Sequence, residues 1–185
     1  MLNWEGLKTV CAQCTRCGIC ETRHNVVFGV GKRDTDVMFV GEGPGEQEDL
    51  QGEPFVGPAG KLLDDMMSIV DLDRTNSYIA NIVKCRPPRN RDPLETEQEP
   101  CIGYLRNQVA LIKPKIIVCL GRIAAKKLID PDFRITRQHG QWFRRGNVWM
   151  MATYHPSALL RDVAKRPDAF DDLMSLRAKM KELGL

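Results

Sequence analysis

The stretch Val37–Asp64, VMFVGEGPGEQEDLQGEPFVGPAGKLLD, constrains the fold more than any other part of the 185-residue chain. Val37, Met38, Phe39 and Val40 form a short apolar run of strand type that stops at Gly41. The loop after it carries glycine at 41, 43, 45, 52, 57 and 60, ahead of the helix-like KLLDDMMSIV. A strand feeding a glycine-rich loop and then a helix is a binding-site geometry, because glycine lets backbone approach a ligand and takes positive φ at no steric cost. Glu42, Glu46, Glu48 and Asp49 add four carboxylates, which argues against a bare phosphate held on this loop. A tight turn with solvated acids accounts for one or two glycines. Six of them, with Pro54-Phe55-Val56 embedded, point to a pocket.

The rest of the chain alternates in the same way. A short helix is expected over residues 2–10, a first strand or strand-like lead-in over Asn25–Gly29, and a helix over 60–70. YIANIVKC reads as a core strand with Asn81 near its carboxyl end. An amphipathic helix follows over 98–112, with Ile102, Leu105, Val109 and Ile112 on one side. Ile116–Leu120 is a buried parallel-type strand closed by Gly121, then come a helix over 123–129, a strand over Trp149–Thr153 and a final helix over 169–183. Strands alternating with helices predict an α/β fold: a three-layer αβα sandwich around a central, mainly parallel four-stranded sheet. Ligands bind such sheets at the carboxyl ends of the strands. Glu42–Gly45, Asn81 and His155 all fall at or just past strand ends, so three separated motifs converge on one edge.

At this length one domain over 1–185 is the economical expectation. Hydrophobic content of 43% with 28% charged residues suits a soluble protein. The chain shows neither an 18-residue apolar run nor a secretory leader, so a cytoplasmic protein without membrane contact is expected. The net charge of +3 hides basic clusters at Lys84–Arg91, Arg134–Arg145 and Arg161–Arg166, compatible equally with a polyanion surface and with solvated faces. Seven cysteines without an export signal favour metal binding or free thiols over disulfides. Cys11, Cys14, Cys17 and Cys20 recur every third residue, a ferredoxin-like spacing that also permits zinc. Cys85 and Cys101 bracket RPPRNRDPLETEQEP, which reads as a loop too rich in proline and charge for a strand or a long helix interior. Four ligands can come from the N-terminal row alone or two from each group. Cys119, inside IIVCLG, reads as an ordinary buried thiol.

The glycine-rich stretch GEGPGEQEDLQGEPFVGPAGKLLD, NIVKCRPPRNRDP and TYHPSALLR, in this order, resemble the signatures of the family 4 uracil-DNA glycosylases, the iron-sulfur branch of their superfamily. The resemblance spans most of the chain. It implies a DNA repair enzyme, a monofunctional glycosylase of base excision repair that flips uracil out of DNA, hydrolyses its N-glycosidic bond and leaves an abasic site. It implies Cys14, Cys17, Cys85 and Cys101 as ligands of a structural [4Fe-4S] cluster that staples the N-terminal segment to the 85–101 loop, with Cys11 and Cys20 spare. By the same resemblance Phe55 stacks on the base and Asn81 reads uracil with its amide. Backbone near Gly43 completes the contacts, and Glu48 shapes the pocket floor against the thymine methyl. His155 stabilises the departing uracil anion, and Glu42 positions water or the sugar cation. Ser157, Arg161 and Arg86, with Arg89 and Arg91, are the expected DNA contacts. His24 and His139 read as structural. Nothing demands more than a monomer.

Three other readings compete. A superfamily variant trapped covalently on DNA through a histidine in the basic loop is disfavoured, because no histidine lies between Cys85 and Cys101. A non-enzymatic iron-sulfur protein, binding DNA or carrying electrons, would not need Asn81 or His155. A magnesium-dependent phosphohydrolase using the acidic loop would fail in EDTA.

Overall fold

The computed structural model describes residues 2–185. Helix α1 (Trp4–Ala12) is capped by Asn3, whose side chain accepts from the Gly6 N–H at 2.8 Å and satisfies one of the donors every helix start leaves over. The cysteine-bearing segment then leads to β1 (Val30–Gly31) and β2 (Val37–Gly41). Short helix α2 (Glu46–Gln51) and helix α3 (Pro58–Ser68) precede β3 (Tyr78–Asn81), α4 (Glu95–Ile112), β4 (Ile116–Leu120) and α5 (Arg122–Leu128). The chain closes with α6 (Ile135–Gln138), a hairpin of β5 (Trp142–Arg145) and β6 (Val148–Thr153), α7 (Pro156–Arg161) and α8 (Arg166–Glu182).

One mixed sheet of six strands runs in the order β1-β3-β2-β4-β6-β5. β3, β2, β4 and β6 are parallel, while β1 and β5 pair antiparallel at the two edges. The expected four-stranded sheet is therefore the centre of a six-stranded one. The edges were hard to read because β5 is only half apolar and joins β6 through Gly146 at φ 60°, while β1 spans two residues. Residues 25–29 are not a strand. That segment is pinned singly, by the Val27 N–H on the Lys84 carbonyl at 2.7 Å and by Gln108 on the Phe28 carbonyl at 2.8 Å.

Alternation along β2 divides the core. Met38 and Val40 join a cluster with Leu7 of α1 and Leu105 of α4, and Val37 and Phe39 join Leu63 of α3 and Leu173 of α8 on the opposite face. Every residue of β2, β3 and β4 is buried, as a sheet covered on both faces requires. The expected loop over 86–100 is helical from Glu95 onward. Glu97 supports that start: its carboxylate accepts from the Leu94 N–H at 2.8 Å, while Pro100 lies inside the helix as its sixth residue. Among the described residues no helix is long and apolar enough to cross a membrane.

Candidate active site

The four central strands are parallel, so their carboxyl ends share one edge of the sheet. β2 delivers Glu42 and Gly43 there, β3 ends on Asn81, β4 leads into Gly121, and β6 leads into Tyr154 and His155. Together with Phe55 these residues line a cleft of about 610 Å³. The three sequence motifs meet here.

Asn81 is 2% exposed, and its Oδ1 is the one buried side-chain nitrogen or oxygen among the described residues that has no hydrogen-bond partner. Leaving a buried acceptor unmade costs about 1–3 kcal/mol, so the fold carries this deficit at the cleft. Glycine at 41 is needed to fit it: a Cβ there would lie 2.5 Å from Asn81 Oδ1 and 2.6 Å from Phe55 Cζ.

Phe55 sits at φ 55°, a costly conformation for a bulky side chain. Its neighbourhood over-determines it. Glu48 Oε1 accepts from the Val56 and Gly57 N–H groups at 3.0 and 3.1 Å, and Arg74 donates to the carbonyls of Pro54 and Phe55. A Cβ at Gly60 would lie 1.8 Å from the Phe55 oxygen, so helix α3 can press this close only with glycine. Glu48 lines the cleft and at the same time locks the turn that carries the aromatic ring. The ring lies against His155, centroids 5.5 Å apart and planes at 30°.

His155 caps α7. Its Nδ1 accepts from the Ser157 N–H at 3.1 Å and faces the Ser157 hydroxyl at 2.7 Å, so Nε2 is the nitrogen that carries the proton of the neutral ring. Burial, helped by the nearby Arg161 guanidinium, pulls its pKa down to about 4. The ring is a neutral N–H donor at working pH. Gly121, at φ 89°, leaves room for it, since a Cβ there would lie 2.9 Å from the His155 Cβ.

Glu42 is pushed up to about 7, first by burial and then by the carboxyl of Asp92 beside it, against the pull of Arg122 and Arg161. Asp92 is itself bound by Arg122 at the start of α5. Arg91 makes a two-pronged pair with Glu97 at 2.8 and 2.6 Å, anchoring the basic loop next to the cleft. Arg89 and Asn90 both adopt φ 57° in that loop, and Arg86 donates to Asn90 Oδ1 at 2.7 Å. Asn90, Arg91 and Arg161 line the cleft; Arg86 stands behind Asn90.

Residues 28–176 match the model of the uracil DNA glycosylase superfamily, most of the chain. The chain belongs to that superfamily. It is 44% identical to a type-4 uracil-DNA glycosylase of Archaeoglobus fulgidus over 180 residues, 92% of this chain and 87% of the relative. It is 41% identical to one of Sulfurisphaera tokodaii, over 96% of this chain and 84% of the relative. It is 40% identical to one of Thermotoga maritima, over 93% and 92%.

This superfamily member has a second converging group. Cys11, Cys14, Cys17, Cys20, Cys85 and Cys101 line one recess between the N-terminal segment and the start of α4, while Cys119 stands apart in β4. No cysteine is in a disulfide. Arg23 donates to Cys85 Sγ at 3.4 Å and the Lys84 backbone N–H to Cys101 Sγ at 3.3 Å, the kind of support that metal-bound thiolates receive. Burial pushes the Cys85 thiol up to about 11, so a bound metal is what would draw its proton off; it also pushes the Cys11 thiol up to about 12. Among the described residues no three His, Cys, Asp or Glu side chains converge closely enough for a single metal ion. Six thiols around one recess are compatible with iron-sulfur binding. The recess contains all six, so Cys14, Cys17, Cys85 and Cys101 remain the set that the resemblance implies.

Sequence reasoning missed Arg74, Asp92 and Arg122, which act on site residues through folding rather than spacing. It also placed Lys84 in a basic surface, whereas the side chain is 1% exposed. The visible signal was its position directly after the apolar Ile82-Val83, which continue the buried run past β3. His24 and His139 bind buried carboxylates, Asp49 at 2.7 Å and Asp172 at 2.9 Å, away from the cleft.

Proposed function

We propose that this chain is a uracil-DNA glycosylase whose cleft takes a uracil flipped out of DNA. The observation that carries the reading is the unpaired Asn81 Oδ1. Uracil offers N3–H as a donor next to the O4 acceptor, so one amide can accept from the first and donate to the second. Cytosine presents the reverse pattern and leaves the amide mispaired, a discrimination of roughly 2–5 kcal/mol. Phe55 supplies the stacking surface, backbone near Gly43 completes the contacts, and Glu48 holds the turn that bounds the pocket floor.

Cleavage breaks the bond between C1′ of the sugar and N1 of uracil, its electron pair leaving on the base. Negative charge grows on uracil O2, and the neutral Nε2–H of His155 is the donor that meets it, a contribution of about 3–4 kcal/mol for a group of this kind. Positive charge grows on the sugar, and ionised Glu42 stabilises it or holds the water that adds to C1′ and loses its proton. Ser157 fixes the imidazole tautomer from the same loop that would meet a phosphate. Arg161 and Arg86, with Arg89 and Arg91, contact the backbone, so binding weakens steeply with salt.

Cys14, Cys17, Cys85 and Cys101 would hold a [4Fe-4S] cluster. Bound there, the group supplies a cross-link between the N-terminal segment and the basic loop. On this reading the chain is one domain over 1–185, monomeric and cytoplasmic. A labelled oligonucleotide with a single uracil, incubated in EDTA and treated with alkali, tests the function. Scission at uracil but not at cytosine or thymine is expected, and an uncut uracil strand from folded protein would overturn the reading.

A further inference from the structure

Lys84 lies between the two sites, and beyond its backbone N–H bond to Cys101 its side chain has a role in neither as described so far. A lysine is almost never fully buried unless paired, yet the partners of this one are neutral. Its Nζ donates to the Asn81 carbonyl at 3.0 Å and to Gln108 Oε1 at 2.7 Å. Gln108 is turned to present that oxygen because its own Nε2 donates to the Phe28 carbonyl at 2.8 Å and the Tyr78 hydroxyl at 3.1 Å. These bonds orient an ammonium without neutralising it. No carboxylate among the described residues pairs with it, and it lines the recess that holds Cys101, Cys11 and Cys85.

We propose that Lys84 is the buried counter-charge of the iron-sulfur cluster held in the cysteine recess. The inference rests on the cluster reading above. Four thiolates carry more negative charge than a cubane core of the usual oxidation level carries positive, and a buried net charge is tolerated only beside an opposite one. Arg23 offers a cation at the rim, on Cys85; Lys84 offers one from inside. Through its bond to the Asn81 carbonyl the same ammonium ties the recess to the strand end that bears the base-reading amide.

A nearby positive charge favours the reduced cluster, so removing it lowers the midpoint potential. The test uses wild type, Lys84→Met, which keeps the length without the charge, and Gln108→Glu, which keeps the lysine but sets a carboxylate on it. Iron and sulfide content, circular dichroism and the midpoint potential are read on each. A more negative potential in Lys84→Met supports the role, as does loss of the cluster from both variants with the fold retained. A potential in Lys84→Met equal to that of wild type overturns it. If Lys84→Met does not fold, Gln108→Glu alone decides. Wild-type protein without iron and sulfide would overturn the cluster reading itself, an outcome distinct from an unchanged potential.

Discussion

The cleft and the cysteine recess lie on either side of the same five residues, Asn81–Cys85, and treat buried polar atoms in opposite ways. In the recess, donors come to the sulfurs: Arg23 to Cys85 and the Lys84 N–H to Cys101. In the cleft, Asn81 Oδ1 has no partner, Phe55 is held at positive φ, and Glu42 sits beside another carboxyl. One side is satisfied in a way that holds chain segments together. The other carries one unmet acceptor and backbone strain, as functional sites do. Substitutions on the two sides should therefore separate stability from chemistry.

The largest effect is expected in the recess. Cys101→Ala should abolish iron binding and lower stability by several kcal/mol, on the order of what a metal contributes to a fold it completes, with activity lost as a consequence. Iron content and thermal unfolding check this. A variant as stable as wild type would erase the distinction between the two regions. His155→Ala comes next, with a single-turnover rate reduced about 10²–10³-fold and a melting temperature near that of wild type.

A smaller effect concerns pH. Glu42 ionises only as pH rises through about 7, while His155, at about 4, stays neutral throughout, so the rate should climb toward pH 7 on a limb that belongs to the carboxyl. Asp92 favours the protonated form of Glu42, so Asp92→Asn should move this limb to lower pH. A limb that stays in place would remove Glu42 or its neighbour from the account. Folding carries the opposite sign: ionised Glu42 is disfavoured in the native state, so its contribution to stability declines as pH rises from its ordinary range through about 7.

The central strands, the convergence of Asn81 and His155 and the cysteine grouping were legible because each is local: an apolar run, a breaker, a spacing. What escaped reading depends on side chains reaching across the fold. Arg74 reaches back 20 residues to the Pro54 carbonyl, and Arg122 reaches Asp92 across 30. Neither leaves a periodic trace. Lys84 misled for a related reason, since charge predicts exposure unless burial of the segment after β3 is weighed against it. Residues 25–29 had strand composition but meet single side-chain and backbone partners instead of a neighbouring strand.

Single-turnover release of uracil by Asn81→Ala in EDTA, with the melting temperature taken on the same preparation, tests the central claim most directly. The unpaired oxygen is a deficit of about 1–3 kcal/mol that binding relieves, so excision should fall roughly 5- to 150-fold while the melting temperature holds or rises. An unchanged rate, or a fall in rate accompanied by a melting temperature several degrees lower, would contradict it, because Asn81 would then serve the fold and not the base.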